Sequence, residues 1–138
     1  MFFQTMKSEN DFHMSMLIQS LQLLAAKYEE QMNAQPEFVD VPDEIALTFS
    51  EVYLLVENLD KEDLLTTSQK TALTQIDSVL EQMSKKEDMW TLNSLKTSSQ
   101  WEDVRLLASN TLKAFNTLKQ PPHLFWLQYV PDQKTPTT

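Results

Sequence analysis

Not one of the 138 residues is glycine. At the average usage of about 7%, a chain this long would hold about ten. Glycine takes positive φ without steric cost and lets a backbone approach a ligand closely. Its absence excludes the phosphate-binding P-loop, the dinucleotide fingerprint, the EF-hand loop and the nucleophile elbow, each of which needs glycine at a fixed place. It also favours capped helices whose ends rely on Asn, Ser, Thr and Pro. Cysteine is absent too, which excludes disulfides, thiolate zinc sites and a cysteine nucleophile.

The apolar fraction of 41% is that of a globular domain rather than a disordered one. One domain over residues 1–130 is expected, with residues 131–138 as a flexible tail. The formal net charge is −9. Such a chain lacks the positive field that nucleic acids and anionic membranes require, so neither is expected as a partner. The start, MFFQTMKSEN, has no basic region ahead of an apolar run and does not read as a secretory signal. No apolar run reaches the length of a membrane span. A cytoplasmic location is expected.

Hydrophobic spacing predicts an all-α bundle of four main helices with short extra helical turns. The first runs from about Asp11, its cap, to Asn33, a candidate left-handed end. The second runs from about Asp43 to Asn58. It is apolar almost all round, with Glu44, Thr48, Glu51 and Asn58 on a narrow polar stripe, and reads as the central helix. Between them, Phe38 and Val39 are expected to tuck onto the core. Thr66-x-x-Gln69 is a capping box that opens the third helix, which ends near Ser84. A short turn holds Met89, Trp90, Leu92 and Leu95. Ser99-x-x-Glu102 reads as the second capping box, opening the last long helix, with Trp101 on its core stripe. Pro121 and Pro122 forbid continuation. Leu124–Val130 then forms an apolar strap, helical or extended, that either packs on the core or meets a partner.

The acids are concentrated. Residues 40–63 hold Asp40, Asp43, Glu44, Glu51, Glu57, Asp60, Glu62 and Asp63 against Lys61 alone, net −7, whereas residues 1–39 are net −3 and residues 64–138 net +1. These eight acids are the candidate partner-binding residues. The plain alternative is a solvated face. Along a continuous helix the two ends of this set would lie about 25 Å apart at 1.5 Å per residue, a ridge or two poles rather than one pocket.

Catalytic signals are thin. His13 and His123 lie at opposite ends of the chain, and neither HExxH nor paired ExxH motifs occur. Glu57-x-x-Asp60, with Asp63 beyond, is half of a magnesium-holding carboxylate set, with no second half. No catalytic residue, metal ligand or cofactor is assigned.

From Leu64 to Ala114 the chain carries helix rhythm and the phrase W-T-x-x-x-L…S-x-x-W-x-x-V, on Trp90, Thr91, Leu95, Ser98, Trp101 and Val104. This stretch resembles the small acidic α-helical bacterial immunity proteins encoded beside secreted or contact-dependent toxins. The resemblance implies a non-enzymatic inhibitor that neutralises a cognate toxin by stoichiometric binding. The partner implied is a toxin domain, often a basic nuclease, and the acids of residues 40–63 suit such a surface. Two alternatives stand beside it: an acidic secretion chaperone that holds an extended effector segment, and a metal-dependent nucleotide hydrolase.

Overall fold

The computed structural model describes residues 2–37 and 39–127, and the side chains from Glu9 onward within that span. Phe38, Gln128–Val130 of the strap and the 131–138 tail lie outside it. The described residues are helical with no strand, as expected of an all-α bundle. Four helices are long: α1 (Phe2–Ala25), α3 (Val41–Tyr53), α5 (Thr67–Met83) and α7 (Ser99–Ala114). Short helices α2 (Tyr28–Asn33), α4 (Val56–Lys61) and α6 (Leu92–Thr97), and a 3₁₀ turn (Glu87–Trp90), lie between them.

The central helix is α1, not the acidic second segment. It packs on α7 and α3, while α5 packs on α7 and touches α3 only sparsely. Leu17, Leu21, Leu23, Leu24 and Ala25 are buried, and so are Ser20 and Gln22. The two polar residues break the apolar pattern but are satisfied internally. The Ser20 hydroxyl donates to the Leu17 carbonyl at 2.8 Å. α3, by contrast, leaves Leu47 50% exposed and buries Thr48 from the supposed polar stripe. Apolar residues all round a helix therefore marked an uncovered face here, not a central position.

Both early helices are broken where continuity was expected. Lys27 is extended at φ −66°, ψ 158°, which separates α1 from α2. The Glu30 carboxylate accepts the Lys27 N–H at 3.3 Å. Asp11 lies inside α1 rather than at its start. The second segment turns at Leu54 and Leu55, dividing α3 from α4, with Leu54 76% exposed at the corner. The α5 capping box forms as expected. The Gln69 N–H donates to Thr66 Oγ1 at 3.1 Å, and the Thr66 N–H to Gln69 Oε1 at 2.9 Å. The last helix is capped one residue earlier than expected, by Ser98, whose Oγ accepts the Trp101 N–H at 3.2 Å. Trp101 is fully buried, and its Nε1–H donates to the Met89 carbonyl at 2.7 Å.

Helix C-termini show how the chain manages without glycine. Among the described residues only Asp63 (φ 59°) and Asn116 (φ 54°) are left-handed; Asn33 is not. Each sits one residue past a helix cap in a Schellman arrangement. After α4, the Leu64 N–H donates to the Leu59 carbonyl at 3.0 Å and the Asp63 N–H to Asp60 at 2.9 Å. After α7, the Thr117 N–H reaches Leu112 at 2.9 Å and the Asn116 N–H reaches Lys113 at 2.9 Å. Asp and Asn are the residues that tolerate this conformation best after glycine. Gln69 adds a second cap to α7, donating Nε2–H to the Ala114 carbonyl at 3.1 Å.

α1 ends differently, on a buried arginine. Arg105 Nε donates to the Ala26 carbonyl at 3.1 Å, and Nη2 donates to Leu95 at 2.6 Å and to Gln31 Oε1 at 2.9 Å. Gln31 is fully buried and turns its Nε2 to the Leu23 and Leu24 carbonyls at 3.1 and 3.3 Å. The segment after α7 is extended and runs back over α1. The Gln22 amide donates to the Leu118 carbonyl at 2.8 Å and accepts the Gln120 N–H at 2.7 Å, while Gln19 accepts the His123 N–H at 2.8 Å. Leu124 and Trp126 pack against the core, and Phe125 stays 44% exposed, edge-on to Phe12. Through Leu127, then, the strap packs Leu124 and Trp126 on the core and closes in a turn, the Leu127 N–H donating to the Leu124 carbonyl at 3.1 Å.

Replacing Asn116 with Val should lower the unfolding free energy by about 1–2 kcal/mol, because a β-branched residue is forced into the left-handed region. Asn116→Gly should leave it nearly unchanged. Urea unfolding of the three proteins checks this ordering.

Candidate functional site

The eight candidate acids form two groups. Asp40, Asp43 and Glu44 gather at the start of α3, where the helix dipole favours negative charge. Glu57, Asp60, Glu62 and Asp63 lie on α4 and its exit, with Glu51 exposed on α3 between the groups. Two of the distal acids are taken up internally. Glu57 faces Lys61 at 3.7 Å and Asp60 faces Lys70 at 2.8 Å. Asp63 shapes the end of α4 through its backbone. Asp40, Asp43, Glu44, Glu51, Glu62 and Asp63 make no ion pair among the described residues. No group of three or more His, Asp or Glu among the described residues is placed to hold a metal ion.

Asp43 belongs to a feature that the local charge count missed. Between α3 and α5 lies an open groove of about 610 Å³. One wall is Asp43, Ala46, Leu47 and Ser50 of α3, and the other is Asp77, Leu80, Glu81 and Ser84 around α5. Both sets follow i, i+3, i+4, i+7, so each is a single helical face two turns long. Trp90 also lines the groove. Its Nε1–H donates to the Met83 carbonyl at 3.0 Å, and its ring stands edge-on to Trp101 at 5.6 Å, so its position is fixed from below.

Three carboxylates enter this groove and no basic residue lines it. Partial burial raises the Asp43 carboxyl above its ordinary value of 3.8, helped by a hydrogen bond with the Asp40 side chain and by the charges of Asp40 and Glu44. Partial burial and the Glu81 charge raise Asp77 in the same way. Asp77 and Glu81 are an i, i+4 like-charge pair with no lysine between them, a sequence signal that a count by segments passes over.

Four of the eleven bases gather elsewhere. Lys27, Lys96, Arg105 and Lys119 line a separate concavity of about 420 Å³ near the end of α1, together with Glu29 and Glu102. Lys96 Nζ lies 5.7 Å from the Tyr28 ring centre. Lys85 and Lys86 follow Ser84 just beyond the groove and line another concavity with Asp103.

A scan against protein-family models found no match for the chain, and searches of curated proteins and of solved structures found none either. Among the described residues, no helix is long and apolar enough to cross a membrane.

A raised carboxyl binds its proton more tightly in the folded chain than in the unfolded one. The stability contributed by that preference is present below the unfolded value of 3.8 and is lost as pH rises through the folded value. Asp43→Asn with Asp77→Asn should therefore raise the denaturation midpoint near neutral pH. The gain over the parent chain should vanish well below the ordinary carboxyl value. Chemical denaturation at both pH values measures it.

Proposed function

We propose that the chain is a non-enzymatic binding protein of the immunity type, which neutralises a basic toxin domain by stoichiometric contact through its acidic side. The observation that carries this reading is the acidic surface left without ion pairs among the described residues on and beside α3. Acids on and beside α3 stay exposed without cationic partners among the described residues, while the bases lining the second concavity sit near the end of α1. A like-charged surface of this kind is held at an electrostatic cost until an opposite surface meets it. The resemblance of Leu64–Ala114 to immunity proteins supports a toxin as that surface.

Electrostatic complementarity acts mainly on encounter. The distal acids Glu62 and Asp63 would steer a basic partner at long range, and Asp40, Asp43 and Glu44 would fix its register. A second reading, an acidic secretion chaperone, draws on the exposed Leu47 and Leu54, which would suit an extended apolar segment of an effector. The two differ in what they hold. An inhibitor takes a folded domain and a chaperone an unfolded stretch.

The test is capture of partners from the native host, followed by binding kinetics against the toxin encoded beside the gene. Neutralising Glu44, Glu51, Asp60 and Asp63 together should slow association about tenfold at low salt, with a smaller effect at high salt and little change in dissociation. Unchanged association would remove the acidic-surface reading. Capture of an effector only in its unfolded form would favour the chaperone.

A further inference from the structure

The groove between α3 and α5 is specific enough to describe its occupant. Its length is set by eight residues on each wall, about 10 Å from first to last at 1.5 Å per residue. Its walls are helix faces with satisfied backbones, so they offer no sheet edge for an extended strand to pair with. Its lining alternates carboxylate and apolar surface along both walls, from Asp43 to Leu47 and from Asp77 to Leu80 and Glu81. Leu47 is 50% exposed there, apolar area that docking would take from water. Trp90 adds an aromatic surface held in place by its bond to Met83, and tryptophan is the best cation–π partner.

We propose that this groove seats two turns of an amphipathic helix from a protein partner, with lysine or arginine residues meeting Asp43 on one wall and Asp77 and Glu81 on the other, and apolar residues against Leu47 and Trp90. Charge complementarity selects that occupant. Asp77 and Glu81 crowd each other on α5 and Asp43 is crowded by Asp40 and Glu44 on α3, so an arriving cation relieves repulsion at either wall as well as pairing with the acid it meets. The apolar residues of the same helix, three or four positions away, reach Leu47 and Trp90. The inference rests on the protein-binding reading above and narrows it to one surface, two of whose acids, Asp77 and Glu81, lie outside the acidic segment.

The test uses the full chain and a synthetic amphipathic helical peptide of Leu, Ala and Arg, with a counterpart in which Glu replaces each Arg. Fluorescence anisotropy gives the affinity, and amide chemical shifts locate the site. The Arg peptide should bind and the Glu peptide should not, with shifts centred on residues 43–50 and 77–84. Asp43→Asn with Asp77→Asn, both helix-compatible, should weaken binding about tenfold. Neutralising Glu57, Glu62 and Asp63, none of which lines the groove, should change it by less than about twofold at physiological salt. Equal binding of both peptides, shifts elsewhere, or an unaffected Asn variant would overturn the proposal. The natural partner separates the two levels. If its dissociation ignores the Asn variant while its association follows the wider acidic surface, the groove inference fails and the binding reading stands. If the Arg peptide binds the groove but no basic protein is captured, the groove inference stands and the immunity reading fails.

Discussion

The last carbonyls of a helix have no helical donors, and a chain without glycine has few ways to turn away from them. At the end of α1 the residues that carry those carbonyls, Leu23, Leu24 and Ala26, are buried. Arg105 and Gln31 serve them instead. The guanidinium reaches Ala26, the Gln31 amide reaches Leu23 and Leu24, and the two side chains bond to each other at 2.9 Å. The arginine's charge is met by Glu102 at 3.3 Å and by the negative ends of α1 and α6. One side chain on α7 thus joins α1, α2 and α6.

The groove depends on this hub at one remove. Holding the Leu95 carbonyl fixes α6 against α7. The 3₁₀ turn just before α6 is tied to α7 by Trp101, which donates to Met89, and to α5 by Trp90, which donates to Met83. Trp90 is therefore set from both sides at the point where it lines the groove. α3 and α5 touch only sparsely beside it, which leaves the two acidic faces open to an outside partner.

Much of the fold could be read from the chain. The Thr66–Gln69 capping box, the four long helices and the burial of Trp101 follow from spacing and cap chemistry. What spacing could not show was which helix lies at the centre. Ser20 and Gln22 look like surface residues in α1, yet both are buried because each finds an internal hydrogen bond. Leu47 and Leu54 look like core and stand exposed. Glycine's absence did point to Asn as a left-handed substitute, but the positions used are Asp63 and Asn116, where the chain must reverse immediately after a helix. Of the candidate surface, the acids at the start of α3 were visible, whereas Asp77 and Glu81 join them only through the packing of α3 beside α5.

The hub can be measured by a double-mutant cycle on Arg105→Met and Gln31→Leu, read by guanidinium unfolding. Arg105→Met keeps most of the buried volume but leaves the Ala26 and Leu95 carbonyls without this donor, so it should cost about 2–4 kcal/mol. Gln31→Leu strips the same cap from its other side. If the two act as one cap, the double variant should lose about 1 kcal/mol less than the sum of the singles. Additivity within about 0.5 kcal/mol, or an Arg105→Met protein as stable as the parent, would contradict the role given to this arginine.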